Sequence, residues 1–144
     1  MKTWNDIEHM VYKVSPDIAK SRSILKMANA RIEANNIDHD RYPSLVVEKY
    51  YKIIKELIVA LMAIDGFKTV SHEALVLYLG KFYNDFIESE IALIDQMRIK
   101  RNQVVYEGRF VPKEYLRRNE EKLKEIISKL MKIIDSRLTS SSFP

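Results

Sequence analysis

The chain of 144 residues has no cysteine, only three glycines, four prolines and one tryptophan. Without cysteine it can build neither a disulfide framework nor a thiolate metal site, and this composition suits a reducing cytoplasm. So few glycines and prolines leave little of the punctuation that strand-and-turn folds need, which favours an all-α fold. No stretch approaches the ~18 consecutive apolar residues of a membrane-spanning helix. The opening MKTWNDIEHMVYKVSP has no continuous apolar region and no small-residue cleavage site, so neither a signal peptide nor a membrane partner is expected. A Gly-rich phosphate loop, HExxH, an EF-hand loop and G-x-S-x-G are also missing, and no metal or cofactor is expected.

A hydrophobic fraction of 47% supplies a core for one domain, and the net charge of +4 permits a polyanionic partner without requiring one. Residues 1–14 read as an arm or short helix, with Trp4, Ile7, Met10 and Val11 at helical spacing. Ser15-Pro16-Asp17 reads as a helix start, with Ser15 as cap and Pro16 at the first position, and the helix is expected to reach about Asn36. A second helix is expected from Tyr42-Pro43-Ser44 to Ile64, apolar nearly all round in LIVALMAI and stopped by Gly66. Ser71 caps a shorter third helix over 71–79. A long helix follows from about Asn84 to Tyr106, ended by Gly108. Pro112 opens the last helix, which carries Leu123, Ile126, Leu130 and Ile134 and ends near Leu138. The expected architecture is an antiparallel four-helix up-and-down bundle over 15–138, with a short extra helix and a flexible tail over 139–144.

The segment RIKRNQVVYEG stands out. With Arg101 set at zero on a helical wheel, Ile87, Ile94 and Val105 fall within about 40° of it, and Glu90, Met97 and Val104 within about 60°. Arg98, Asn102 and Tyr106 spread from that arc to about 140°. An unpartnered guanidinium inside a core costs several kcal/mol, so two readings stand. Either Arg101 snorkels where the helix leaves the core, or a ligand or partner surface covers it. Glu90 is open to three readings: a rim position, a pair with a lysine of another helix, or a lining residue of the same groove.

The order of features resembles a HEPN domain over roughly residues 16–138. It runs from Glu48-Lys49 and Ala60-Leu61 through Gly66 and Ser71-His72-Glu73-Ala74-Leu75 to Arg101-Asn102 closing a long helix. This α-helical family includes prokaryotic toxins, RNA-processing factors and partners of nucleotidyltransferases. Its signature is Arg, a polar residue that is often Asn, and a His after four to six intervening residues. Here Tyr106 stands in the place of that His. The resemblance implies a homodimer binding RNA or nucleotide in a groove, and a toxin-like role beside a nucleotidyltransferase antitoxin. It also implies a phosphate contact from Arg101, a supporting role for Asn102 and, with Arg98, a doubled positive charge across two copies. A phenol with a pKa near 10 is a poor base at neutral pH, so ribonuclease activity is expected to be weak or absent. His9, His39 and His72 do not match the motif, and His72 reads as a first-turn residue of its helix. Tyr50, Tyr51 and Tyr78 read as packing residues rather than a stacking platform, and KEYLRRNEEKLK as a solvated face. The alternative function is a non-catalytic helical protein-interaction module. A helix-turn-helix DNA binder ranks below both, since the helix after 66–80 is not basic on one face.

Overall fold

A computed structural model describes residues 2–34 and 36–141 of the chain. Among the described residues the fold is helical. Its elements are α1 (Trp4–Ile7), a 3₁₀ turn (Glu8–Met10), α2 (Ile18–Glu33), α3 (Pro43–Asp65), α4 (His72–Phe82), α5 (Glu88–Glu107) and α6 (Lys113–Ser141). A small antiparallel ribbon joins β1 (Tyr12–Lys13) to β2 (Phe67–Lys68), with Tyr12 opposite Lys68.

The central element is α3. Pro43 occupies its first turn, and Gly66 ends it in the left-handed region, at φ 83°. Over Leu57–Ile64 its side chains are apolar on every face, so the helix has no solvent side there except at Val59, and α2, α4, α5 and α6 all pack on α3. Ile54, Leu57 and Leu61 are wholly enclosed. Each such side chain contributes about 1.5–3 kcal/mol by leaving water. The amphipathic α6 adds Leu123, Ile126, Leu130 and Ile134 to the same core.

Several expected boundaries move. Asp17, not Ser15, caps α2: its carboxylate accepts the Lys20 N–H at 2.9 Å, and the helix starts two residues later than Pro16. Gly80 stays inside α4, which runs on to Phe82. The stretch 84–87 is a turn that buries Phe86 before α5 begins at Glu88. The last helix continues past Leu138 to Ser141, so 139–141 are helical; the rest of the expected tail lies outside the described residues. The arm does more than dock. The Val14 N–H donates to Gly66 O at 2.9 Å and the Asp17 N–H to Ala63 O at 2.8 Å, clasping the end of α3. A Cβ on Gly66 would lie 2.8 Å from Val14 O, a second reason for glycine there besides its positive φ.

At this end of the molecule Asp65 gathers three partners. Its carboxylate accepts from Tyr78 Oη at 2.5 Å and Tyr83 Oη at 2.7 Å and pairs with Arg137 at 2.8 Å, while Arg137 also donates to Tyr83 Oη at 2.7 Å. Trp4 of α1 sits edge-on to Phe82, with ring centroids 5.2 Å apart, and 6.2 Å from Tyr78.

Candidate functional site

The polar end of α5 meets α3 and the first turn of α4. Here α5 leaves the core. Ile94 and Met97 are fully buried, Arg101 and Asn102 are half-buried, and Val105 and Tyr106 are exposed. Gly108, at φ 65°, then stops the helix. The apolar arc on which Arg101 falls thus runs out of core at its C-terminal end.

Arg101 lies between two aromatic rings. Its guanidinium carbon is 6.0 Å from the centroid of buried Tyr51 on α3 and 5.6 Å from that of Tyr106. Both distances suit cation–π attraction. Its one hydrogen bond to a side chain runs from Nη1 to Asn102 Oδ1 at 3.2 Å, and no carboxylate pairs with it among the described residues. Tyr106 is 73% exposed, so it forms an outer wall rather than a buried proton donor.

Arg98 differs from the sequence expectation of a phosphate ligand. Its Nε donates to Asp95 Oδ1 at 2.9 Å, and Nη2 lies 3.5 Å from Glu73 of α4. Two carboxylates therefore occupy it, and it ties α4 to α5. Glu90 differs as well. It is 2% exposed and caps the start of α5 by accepting the Ile87 N–H at 3.0 Å. Lys129 of α6 bonds both its oxygens at 2.9 and 3.1 Å, and Lys122 stands at 3.8 Å. Burial alone would raise its carboxyl pKa, but Lys129, the Ile87 N–H and Lys122 outweigh burial and hold it low. Eleven residues of helix place Glu90 about 16 Å along the axis from Arg101, so it is a helix-to-helix staple and not part of an arginine groove.

Two residues join the site that the motif did not select. His72, in the first turn of α4, packs its ring 6.0 Å from Tyr51, on the ring that Arg101 also covers. Burial, followed by the charges of Lys55, Arg101 and Arg98, pushes the imidazole below its ordinary value, so it is neutral at pH 7. Lys55 on α3 is half-buried and forms no ion pair among the described residues. Burial lowers its pKa first; Glu56 pulls the other way, and the weaker repulsions of Arg101, Lys52 and Arg31 add to the lowering. Glu56 itself is held by Arg31 through two bonds of 3.0 and 3.2 Å. The Tyr51 phenol beneath them is pushed up to about 12 by burial, in spite of Arg98 and Arg101. Lys55 carries one signal in the sequence: it interrupts the apolar run Ile53-Ile54…Leu57-Ile58 of α3.

The other histidines lie elsewhere. His39 bonds Glu120 at 2.7 Å, and Glu120 also accepts the Tyr50 hydroxyl at 2.6 Å. His9 is exposed on the 3₁₀ turn. A cavity of about 540 Å³ between α2, α3 and α6, lined by Leu25, Tyr50, Ile53 and Ile127, contains none of the cationic site residues. Among the described residues no group of three or more His, Asp or Glu comes together as a metal site, and no helix is long and apolar enough to cross a membrane. In the basic run of α6, Arg117 pairs with Asp40 at 2.8 Å, and Lys122 reaches Glu125 at 3.4 Å as well as Glu90. No protein-family model, curated protein or solved structure matches the chain.

Proposed function

We propose that the chain is a HEPN-type up-and-down helical bundle that pairs with a second copy and binds RNA or nucleotide phosphate at Arg101, with ribonuclease activity slow at most. One observation carries the reading. Among the described residues Arg101 lies against the rings of Tyr51 and Tyr106 with no carboxylate paired to it, and its charge acts on Lys55, which forms no ion pair there either. Cations left without acidic partners at a half-open site suit a phosphate, which a guanidinium grips through two parallel bonds. Exposed Tyr106 and Phe110 flank the site, and a base can stack on such rings. Asn102 holds the Arg101 fork, and Arg98 holds α4 against α5.

Titration of a labelled single-stranded RNA in excess chelator tests this. Arg101→Ala is expected to lose at least tenfold in affinity with its helical circular dichroism unchanged. Equal affinity of variant and parent rejects the reading.

A second reading rests on a separate observation. Ile99, Val105, Tyr106 and Phe110 are between 42% and 91% exposed within one short stretch, an apolar surface suited to a protein partner. In that case the site is an interaction module, and a nucleotidyltransferase antitoxin is the partner to test. A monomer in light scattering that binds no RNA but captures such a partner favours this second reading.

A further inference from the structure

We infer that His72 is the general base of this site, placed to take the proton from a ribose 2′-hydroxyl while Arg101 holds the adjacent phosphate. The inference rests on the RNA-binding reading above and goes beyond it, since position 106 offers only a phenol.

The geometry comes first. Ser71 caps α4 by accepting the Ala74 N–H at 3.1 Å, which fixes where the first turn begins. The contact between Arg98 of α5 and Glu73 of α4 then fixes that turn against α5. His72 and Arg101 thereby cover the same Tyr51 ring, each 6.0 Å from its centroid. Both side chains are half-buried, so a phosphodiester can reach them from solvent. Lys55 stands one turn further along α3 from Tyr51, near enough for its charge to act on His72 and for that of Arg101 to act on it.

The protonation state follows. The groups acting on His72 are Lys55 from α3 and Arg98 and Arg101 from α5. Tyr51 packs on its ring, and Glu73, its neighbour on α4, is taken up by Arg98 and Lys2. The surplus is positive, and together with burial it keeps the imidazole neutral, the form that accepts a proton.

The step balances within the site. His72 takes the 2′-hydroxyl proton, and the 2′-oxygen forms a bond to the neighbouring phosphorus. The bond from phosphorus to the 5′-oxygen breaks, and that oxygen leaves with a proton from the Lys55 ammonium. The products are a 2′,3′-cyclic phosphate and a 5′-hydroxyl. Solvent then removes the proton from His72 and restores the one on Lys55. Arg101 stabilises the extra negative charge on the phosphoryl oxygens in between.

The test uses the full chain and a labelled single-stranded RNA in excess chelator, with binding and cleavage read separately. The parent is expected to release cyclic-phosphate ends slowly. Its rate should rise through acidic pH to a plateau by pH 7, and a substrate lacking the 2′-hydroxyl at the labelled step should stay intact. His72→Ala is expected to lose about 100-fold or more in cleavage, the scale of general-base catalysis, while its RNA affinity stays within about twofold. His72→Gln guards against a folding defect, and added imidazole is expected to restore part of the rate to His72→Ala. Parental cleavage in either variant overturns the inference. RNA binding by the parent without any cleavage also overturns it, but leaves the binding reading intact. A parent that binds no RNA overturns both.

Discussion

Two polar clusters lie along α3, one at its C-terminal end and one near its middle, and they resolve the same electrostatic problem in opposite ways. Around Asp65, one carboxylate, one guanidinium and two phenols satisfy one another within 2.5–2.8 Å. Around Tyr51, Arg98 is matched by Asp95 and Glu73, but among the described residues Arg101 and Lys55 pair with no acid. A closed cluster contributes to the fold because removing its carboxylate leaves two buried phenols without their acceptor. An open one gives up some stability through like-charge repulsion and retains donors for something outside the chain. The difference separates a joint from a site on charge pairing alone.

The comparison predicts unequal stability effects. Asp65→Ala should destabilise the fold by about 2–4 kcal/mol, chiefly because the buried Tyr78 and Tyr83 hydroxyls lose their common acceptor, while Arg137 can turn to water. Arg101→Ala should shift stability by no more than about 1 kcal/mol, since the loss of its ring contacts is offset by relief of repulsion from the neighbouring cations. Urea denaturation followed by circular dichroism checks both, and equal losses would erase the distinction.

Alkaline titration sharpens it. Burial first, then the bond to Asp65, raises both the Tyr78 and Tyr83 phenols well above their ordinary range. A raised pKa means the folded state holds the proton longer. The associated stability is therefore complete below about pH 10 and falls as pH rises, by up to about 1.4 kcal/mol per pH unit for each phenol. Urea midpoints at pH 9 and 11 should fall more steeply for the parent than for Tyr78→Phe; parallel slopes would deny the cluster its closed character.

The smallest effect is at His72. Its depressed imidazole leaves stability intact above about pH 6.5 and removes some of it as pH drops toward the folded value, since the unfolded chain binds the proton first. Its titration midpoint by NMR should lie below the ordinary one and rise in Arg101→Ala, where one repelling cation is gone. An unmoved midpoint would separate the two side chains.

Legibility in the sequence followed the range of the interactions. The central helix could be read from Pro43, Gly66 and an unbroken apolar run, and α6 from its amphipathic period, because those signals are local. The wheel placed Arg101 in the middle of the apolar arc, and the side chain is half-buried because that arc runs out of core at the end of α5. What failed was non-local. Two-residue strands more than fifty positions apart leave no periodicity, so the ribbon was invisible. Asp95, three residues before Arg98 on the same helix, lay within reach of a one-helix projection, whereas Glu73 reaches Arg98 from α4, which such a projection cannot show. The same holds for Lys129 finding Glu90, and for His72 and Lys55 converging on Tyr51.

The contact of Trp4 with Phe82 and Tyr78 has an optical consequence. This is the chain's one indole, and it sits on the arm rather than on any long helix. Its emission therefore carries no background from other tryptophans and tracks whether residues 4–7 lie against α4. Since Tyr78 is shared with the Asp65 cluster, the indole watches that end of the molecule, while Arg101 lies outside its immediate surroundings. Fluorescence and circular dichroism thus read different parts of one chain, and a red shift that precedes the loss of ellipticity marks the arm lifting before the helices melt.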